Sequence, residues 1–120
     1  MNKDEALQKF QQAILGQETA GGNYTAVNED SGAAGAYQFL PETWSHYAHE
    51  YGFDDYADTN PSEVPADVQD SLFMRYASDL YDTFGGDVRY MADAHYAGVG
   101  AAIEHYNAGT LPTNAEGNYP

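Results

Sequence analysis

Residues 18–44 read ETAGGNYTAVNEDSGAAGAYQFLPETW. The stretch opens on a carboxylate and a hydroxyl, Glu18-Thr19, and closes on Pro41-Glu42-Thr43-Trp44. Gly21-Gly22 stops a helix arriving from the N-terminal side, because glycine adopts backbone angles that other residues avoid. Gly32, Gly35 and the turn-forming Asn28-Glu29-Asp30-Ser31 keep the next segment irregular. Tyr24, Val27, Tyr37 and Phe39 alternate with these small residues. An irregular loop or short hairpin is expected, running close to something it must not crowd. Pro41 has the fixed φ that suits the first turn of a new helix. The pattern is therefore helix, glycine-rich loop, helix, with Glu18 at the first junction.

Upstream of this stretch, Leu7, Phe10, Ala13 and Ile14 recur at helical spacing, with Ala6 and Leu15 beside them, and predict a helix over residues 4–19. Asn2 or Asp4 can cap its start, and Glu5 suits the first turn. Glu18 falls in the last turn, at the negative end of the helix dipole, where a carboxylate carries a small electrostatic cost. Downstream, Trp44, Tyr47, Ala48 and Tyr51 line a helix that Gly52 ends. Residues 52–60 form an acidic loop. Asn60-Pro61 opens the next helical region and Pro65 restarts it. Val68, Leu72, Tyr76, Leu80 and Phe84 are spaced four apart and make one long face, widened by Phe73, Ala77 and Tyr81. Gly85-Gly86 stops that helix, and Asp87 caps another over residues 88–96. Gly98 and Gly100 interrupt the chain. A last helix over residues 100–106 carries Ala101, Ala102, Ile103 and Tyr106, and residues 110–120 read as a loop. The end on Pro120 without a closing helix suggests a fragment of a longer protein.

The whole, residues 1–120, is expected to be a single and mainly α domain: a helical bundle with a glycine-rich loop or short hairpin flanking a substrate cleft. Its 120 residues hold 4 Lys and Arg against 19 Asp and Glu, a formal charge of −15. That balance argues against nucleic acid as a partner, since phosphates need a basic face, and against docking on an anionic membrane. A hydrophobic share of 42% with 14% aromatics separates the chain from disordered acidic tails. The lack of cysteine excludes disulfides and thiolate chemistry. The N-terminal MNKDEALQKF has no apolar core of the signal-peptide kind, and no apolar run is long enough to span a membrane. Membrane insertion is not expected, and any target outside the cytoplasm requires delivery by something else.

Taken in order, Glu18-Thr19, Gly35-Ala36-Tyr37-Gln38, Pro41-Glu42-Thr43-Trp44, Phe84-Gly85-Gly86-Asp87 and Ala94-His95-Tyr96-Ala97-Gly98-Val99-Gly100 resemble the lytic transglycosylase SLT family of the lysozyme superfamily. That family shows a helix ending in Glu-Ser, then Gly-Leu-Met-Gln, Pro-x-Thr and a late Ala-Tyr-Asn-Ala-Gly-Pro-Gly. Each motif alone is weak; the ordered set is specific, and it covers most of the chain. Residues 21–44 also resemble phage-encoded and resuscitation-factor-like members. The resemblance implies an α+β lysozyme-like fold, peptidoglycan glycan strands as partner, no cofactor and no metal. It further implies cleavage of the β-1,4 link between N-acetylmuramic acid and N-acetylglucosamine, giving 1,6-anhydro ends. Action on the cell wall without a signal peptide suggests carriage by a phage virion or a larger parent protein.

By this resemblance Glu18 is the catalytic acid. The physics agrees: a general acid must keep its proton near neutral pH, which burial away from cations favours. Gln38 matches the family glutamine; its amide either bonds sugar hydroxyls and N-acetyl groups or ties the loop to the Glu18 helix. Tyr37 is either a sugar-facing platform or core. Asp30 either activates water, as in a hydrolysing lysozyme of this fold, or is a turn residue. Two registers compete for the late motif. In the preferred one the family Tyr-Asn falls on His95-Tyr96, and residues 110–119 match the family's next segment, which ends in a Tyr; in the other it falls on Tyr106-Asn107. His46-x-x-His49 has ligand-like spacing but no third ligand nearby. Trp44 reads as packing ahead of sugar stacking. A non-catalytic glycan-binding or structural module of the same fold is the alternative from a different class. Because the cell wall is itself anionic, recognition is expected to be short-range, through hydroxyls and N-acetyl groups.

Overall fold

The computed structural model describes residues 1–19 and 21–110. Among these residues the chain is mainly helical, as expected. The helices are α1 (Lys3–Thr19), α2 (Pro41–Glu50), α3 (Ala66–Thr83), α4 (Val88–Ala97) and α5 (Val99–Ala108). Short 3-10 turns at Asp54–Tyr56 and Pro61–Glu63 occupy the acidic loop and the Asn60-Pro61 segment. The loop expected over residues 110–120, which also supports the preferred register of the late motif, lies from residue 111 on outside the described residues.

The chain forms two compact units. One is Gln11–Tyr76; the other joins Met1–Phe10 to the described residues from Ala77 on. α1 and α3 each contribute residues to both units.

In the Gln11–Tyr76 unit the core is aromatic. Trp44, Tyr37 and Phe73 are almost fully buried, with Ile14, Phe39, Leu72 and Tyr76 around them. Tyr37 stacks on Phe73 at 4.1 Å between ring centroids, and Phe39 meets Tyr76 edge-on at 5.3 Å. Trp44 spends its only polar side-chain atom on the Tyr56 carbonyl, donating from Nε1 at 2.9 Å, so its burial leaves nothing unpaired. The glycine-rich segment is a folded-back loop held by isolated antiparallel bridges, Val27 to Ala34 and Ala34 to Phe39. Ala34 and Phe39 exchange both backbone hydrogen bonds, at 2.9 and 3.1 Å. This is the loop-or-hairpin expected from the sequence.

In the other unit Asn2 caps α1. Its Oδ1 accepts from the Glu5 amide at 2.9 Å while its Nδ2 donates to the Glu5 carboxylate at 3.2 Å, a reciprocal cap. Asp87 caps α4 by accepting from the Arg89 amide at 3.1 Å. Phe84, Tyr90 and Tyr106 form an aromatic cluster with centroid separations of 5.2 to 6.1 Å. The long apolar face of α3 is buried in both units, by Leu72, Phe73 and Tyr76 in one and by Ala77 and Leu80 in the other, where Phe84 continues it just past the helix end. No helix among the described residues is long and apolar enough to cross a membrane.

Candidate active site

α1 ends where the sequence requires. The Gly21 amide reaches back to the Leu15 carbonyl at 3.0 Å, with Gly21 at φ +105°, a backbone angle that favours glycine. Glu18 therefore stands in the last helical turn. It is half-buried, and burial raises its carboxyl pKa above the usual value. Desolvation is the sole cause: no charge or hydrogen bond from the described residues offsets it. A carboxyl in that position holds its proton further toward neutral pH than an exposed one.

Thr19 joins this helix end to the loop. Its Oγ1 donates to the Ala36 carbonyl at 3.0 Å and accepts from the Asn23 amide at 3.0 Å. Of the two roles open for Gln38, the tie between loop and helix is thus made by Thr19. Gln38 instead donates from Nε2 to the Gly35 carbonyl at 2.9 Å, within its own loop. Gln38 also holds φ at +55°, a left-handed conformation that costs an ordinary residue about 1 kcal/mol. The Ala34–Phe39 bridge closes the turn in which it lies.

Tyr37 is 1% exposed, so its ring serves the core of this structure. Its hydroxyl donates to the Asp70 carboxylate at 2.6 Å and accepts from Gln11 Nε2 at 2.9 Å. Tyr24 donates to the same Asp70 oxygen at 2.8 Å. Burial first, then the Asp70 hydrogen bond, pushes both phenols above their usual pKa. Neither is a proton donor near neutral pH. Asp30 is exposed, in a turn organised by Asn28, whose Oδ1 accepts from the Asp30 and Ser31 amides at 3.0 and 3.2 Å.

The strongest anchor of the loop is Gln69, a residue the sequence alone did not single out. It is 1% exposed. Its Oε1 accepts from the Ala36 amide at 3.0 Å, and its Nε2 donates to the Tyr24 and Val64 carbonyls at 3.1 and 2.8 Å. One signal was available. Gln69 precedes Leu72 and Phe73 by one helical turn, so it interrupts the apolar face of α3. A polar residue on such a face must find buried partners.

His95, Tyr96 and Tyr106 belong to the other unit. His95 and Tyr96 lie in the last turn of α4, their rings 5.7 Å apart. Tyr96 is 39% exposed and Tyr106 41% exposed. Tyr106 is only partly packed. Its ring edge packs on Phe84 and Tyr90, but much of it faces solvent. Nearby, His105 Nδ1 meets the buried Asp93 carboxylate at 2.6 Å and links α5 to α4. His46 and His49 each face a carboxylate, Glu50 at 3.3 Å and Asp54 at 2.7 Å.

A surface cleft of about 330 Å³ in the Gln11–Tyr76 unit is lined by Pro41, Ser45, Ala57, Asp58, Thr59 and Asn60. None of the site residues expected from the sequence lines it.

No protein-family model and no solved structure matches the chain. It is similar to the probable transglycosylase SceD of Staphylococcus haemolyticus, with 42% identity over 71 residues, which is 59% of this chain and 27% of that protein. Probable transglycosylase SceD 3 of Staphylococcus saprophyticus is 41% identical over 71 residues, 59% of this chain and 26% of its own length. Probable transglycosylase SceD of Staphylococcus aureus is 41% identical over 71 residues, 59% of this chain and 27% of its own. The chain thus spans about a quarter of the length of the curated relatives it matches.

Proposed function

We propose that this chain is a peptidoglycan-cleaving lytic transglycosylase domain in which Glu18 is the acid and then the base. The observation that carries the proposal is the half-buried Glu18 carboxyl at the end of α1, its pKa raised by burial alone. The similarity to proteins named probable transglycosylase supports the same reading. Membership of the SLT class, with its lysozyme-like fold, rests on the sequence motifs.

The chemistry needs one carboxyl. Glu18 donates its proton to the glycosidic oxygen as the bond to the muramyl anomeric carbon breaks. The resulting carboxylate then takes the proton of the muramyl 6-hydroxyl, and that oxygen closes on the anomeric carbon. Proton and electron pairs balance without water, and Glu18 ends protonated as it began. Within the Gln11–Tyr76 unit, Gln38 and Asp30 are the proposed substrate contacts beside Glu18; a role for His95, Tyr96 or Tyr106 rests on the sequence motifs alone. Tyr37, buried against Phe73, supports the loop from below and does not itself touch substrate. Asp30, in its exposed turn, is the residue on which a hydrolysing alternative depends.

Digestion of purified peptidoglycan, with mass analysis of the muropeptides, tests this. The expected products carry anhydro-muramyl ends. Reducing ends, heavier by one water, would establish a hydrolase. Binding without any product would establish a non-catalytic module.

A further inference from the structure

We propose that Thr19 is a positioning residue for Glu18, holding the last turn of α1 in register with the glycine-rich loop through Ala36. The proposal rests on the reading of Glu18 as the acid. Helix ends fray, because their last carbonyls have no helical partners. Thr19 is the last residue of α1 and adjoins Glu18. Its hydroxyl donates to the Ala36 carbonyl at 3.0 Å, closer than the 3.4 Å to the Leu15 carbonyl of its own helix, and accepts from the Asn23 amide.

Ala36 is a fixed point. Its amide is held by Gln69, and that side chain is itself saturated, with its oxygen on Ala36 and both amide hydrogens on the Tyr24 and Val64 carbonyls. The neighbouring Tyr37 is pinned by Asp70 and Gln11. A continuous series of hydrogen bonds therefore runs from α3 through Gln69 and Ala36 to Thr19. It ends one residue from the carboxyl that must meet a glycosidic oxygen. General acids lose rate steeply when displaced by about 1 Å, so this tie governs the rate rather than mere folding.

The test compares Thr19→Val, which keeps the shape and removes the hydroxyl, with Thr19→Ser, which keeps the hydroxyl. Two readouts are taken: muropeptide release, and titration of the Glu18 carboxyl carbon by NMR. In Thr19→Val we expect kcat to fall at least about tenfold with KM changed less than about twofold. The Glu18 titration should move down toward the ordinary glutamate range as the helix end loosens. Thr19→Ser should stay within about threefold of wild type, with its Glu18 titration unmoved. A Thr19→Val protein matching wild type in both readouts overturns the proposal. So does a rate loss with Glu18 titration unchanged, or an equal loss in Thr19→Ser. If wild type releases no muropeptides, the proposed activity has failed and the Glu18 titration decides alone: movement in Thr19→Val supports positioning, and none overturns it. Should Thr19→Val not fold, Thr19→Ala is judged by the same outcomes.

Discussion

A Cβ on Gly35 would stand 2.6 Å from Gln69 Oε1 and 3.2 Å from the Pro61 side chain. Gly35 also holds φ at +80°. Two demands meet there, a left-handed backbone and a close approach, and glycine alone satisfies both. The oxygen in the way is not the loose end of a surface side chain. It belongs to a buried amide that holds the loop at Ala36 and Tyr24 and is itself tied to the Val64 carbonyl.

Gly35→Ala is therefore expected to destabilise by about 2–4 kcal/mol, from strain plus disruption of the Gln69 bonds. Urea denaturation measures this. Because the collision is with Gln69, the double variant Gly35→Ala, Gln69→Ala should lose less than the sum of the single losses. Strict additivity would show that the two residues do not meet in this way.

The paired phenols on Asp70 give a second prediction. Tyr37→Phe removes a buried hydroxyl used by both Asp70 and Gln11 and should cost about 1–2 kcal/mol. Tyr24→Phe removes one bond from a half-buried ring, and Asp70 keeps its shorter partner, so about 0.5–1 kcal/mol is expected. Equal losses in thermal or urea melts would contradict this ordering.

The helices were legible because their signals are local. The four-residue spacing from Val68 to Phe84, Pro41 at a helix start and Asp87 as a cap each predicted an element observed at nearly those limits. The end of α1 at Thr19 followed from Gly21-Gly22 in the same manner. What holds the loop was not legible. Gln69 bonds to Ala36 and Tyr24, and Asp70 to Tyr37 and Tyr24, all remote in the chain. Side-chain spacing within α3 carries no information about partners that arrive only when the loop folds onto it. Tyr37 shows the same limit: its residue type suits a sugar platform and a core equally, and only the Phe73 ring stacked on it distinguishes them.

The Asp93–His105 pair carries a third prediction. Asp93 is 2% exposed and His105 holds its carboxylate at 2.6 Å. His105→Ala leaves a buried carboxylate without that partner and should cost about 2–3 kcal/mol at neutral pH. Asp93→Asn keeps an oxygen that can accept from His105 Nδ1, and so should cost less, about 1 kcal/mol. Denaturation of both variants decides it. A larger loss in Asp93→Asn would mean that the carboxylate has a second essential partner.

Glu18→Gln separates chemistry from stability. The variant keeps the shape and loses the proton, so muropeptide release should fall by at least about a hundredfold. Its stability should move the other way. Burial raises the folded-state pKa of Glu18 above its unfolded value, so the folded protein binds this proton more tightly. That contribution is fully present below the unfolded pKa and is lost as pH rises through the folded one. Above the unfolded pKa that advantage shrinks as burial opposes loss of the proton, a cost that glutamine, which cannot ionise, does not carry. Glu18→Gln should melt higher than wild type at neutral pH, and the gap should close as pH falls below the ordinary glutamate range. Melts over that pH series measure it. A gap independent of pH, or a variant less stable at neutral pH, would mean that burial does not control the proton on Glu18, and the case for it as the acid would lose its physical basis.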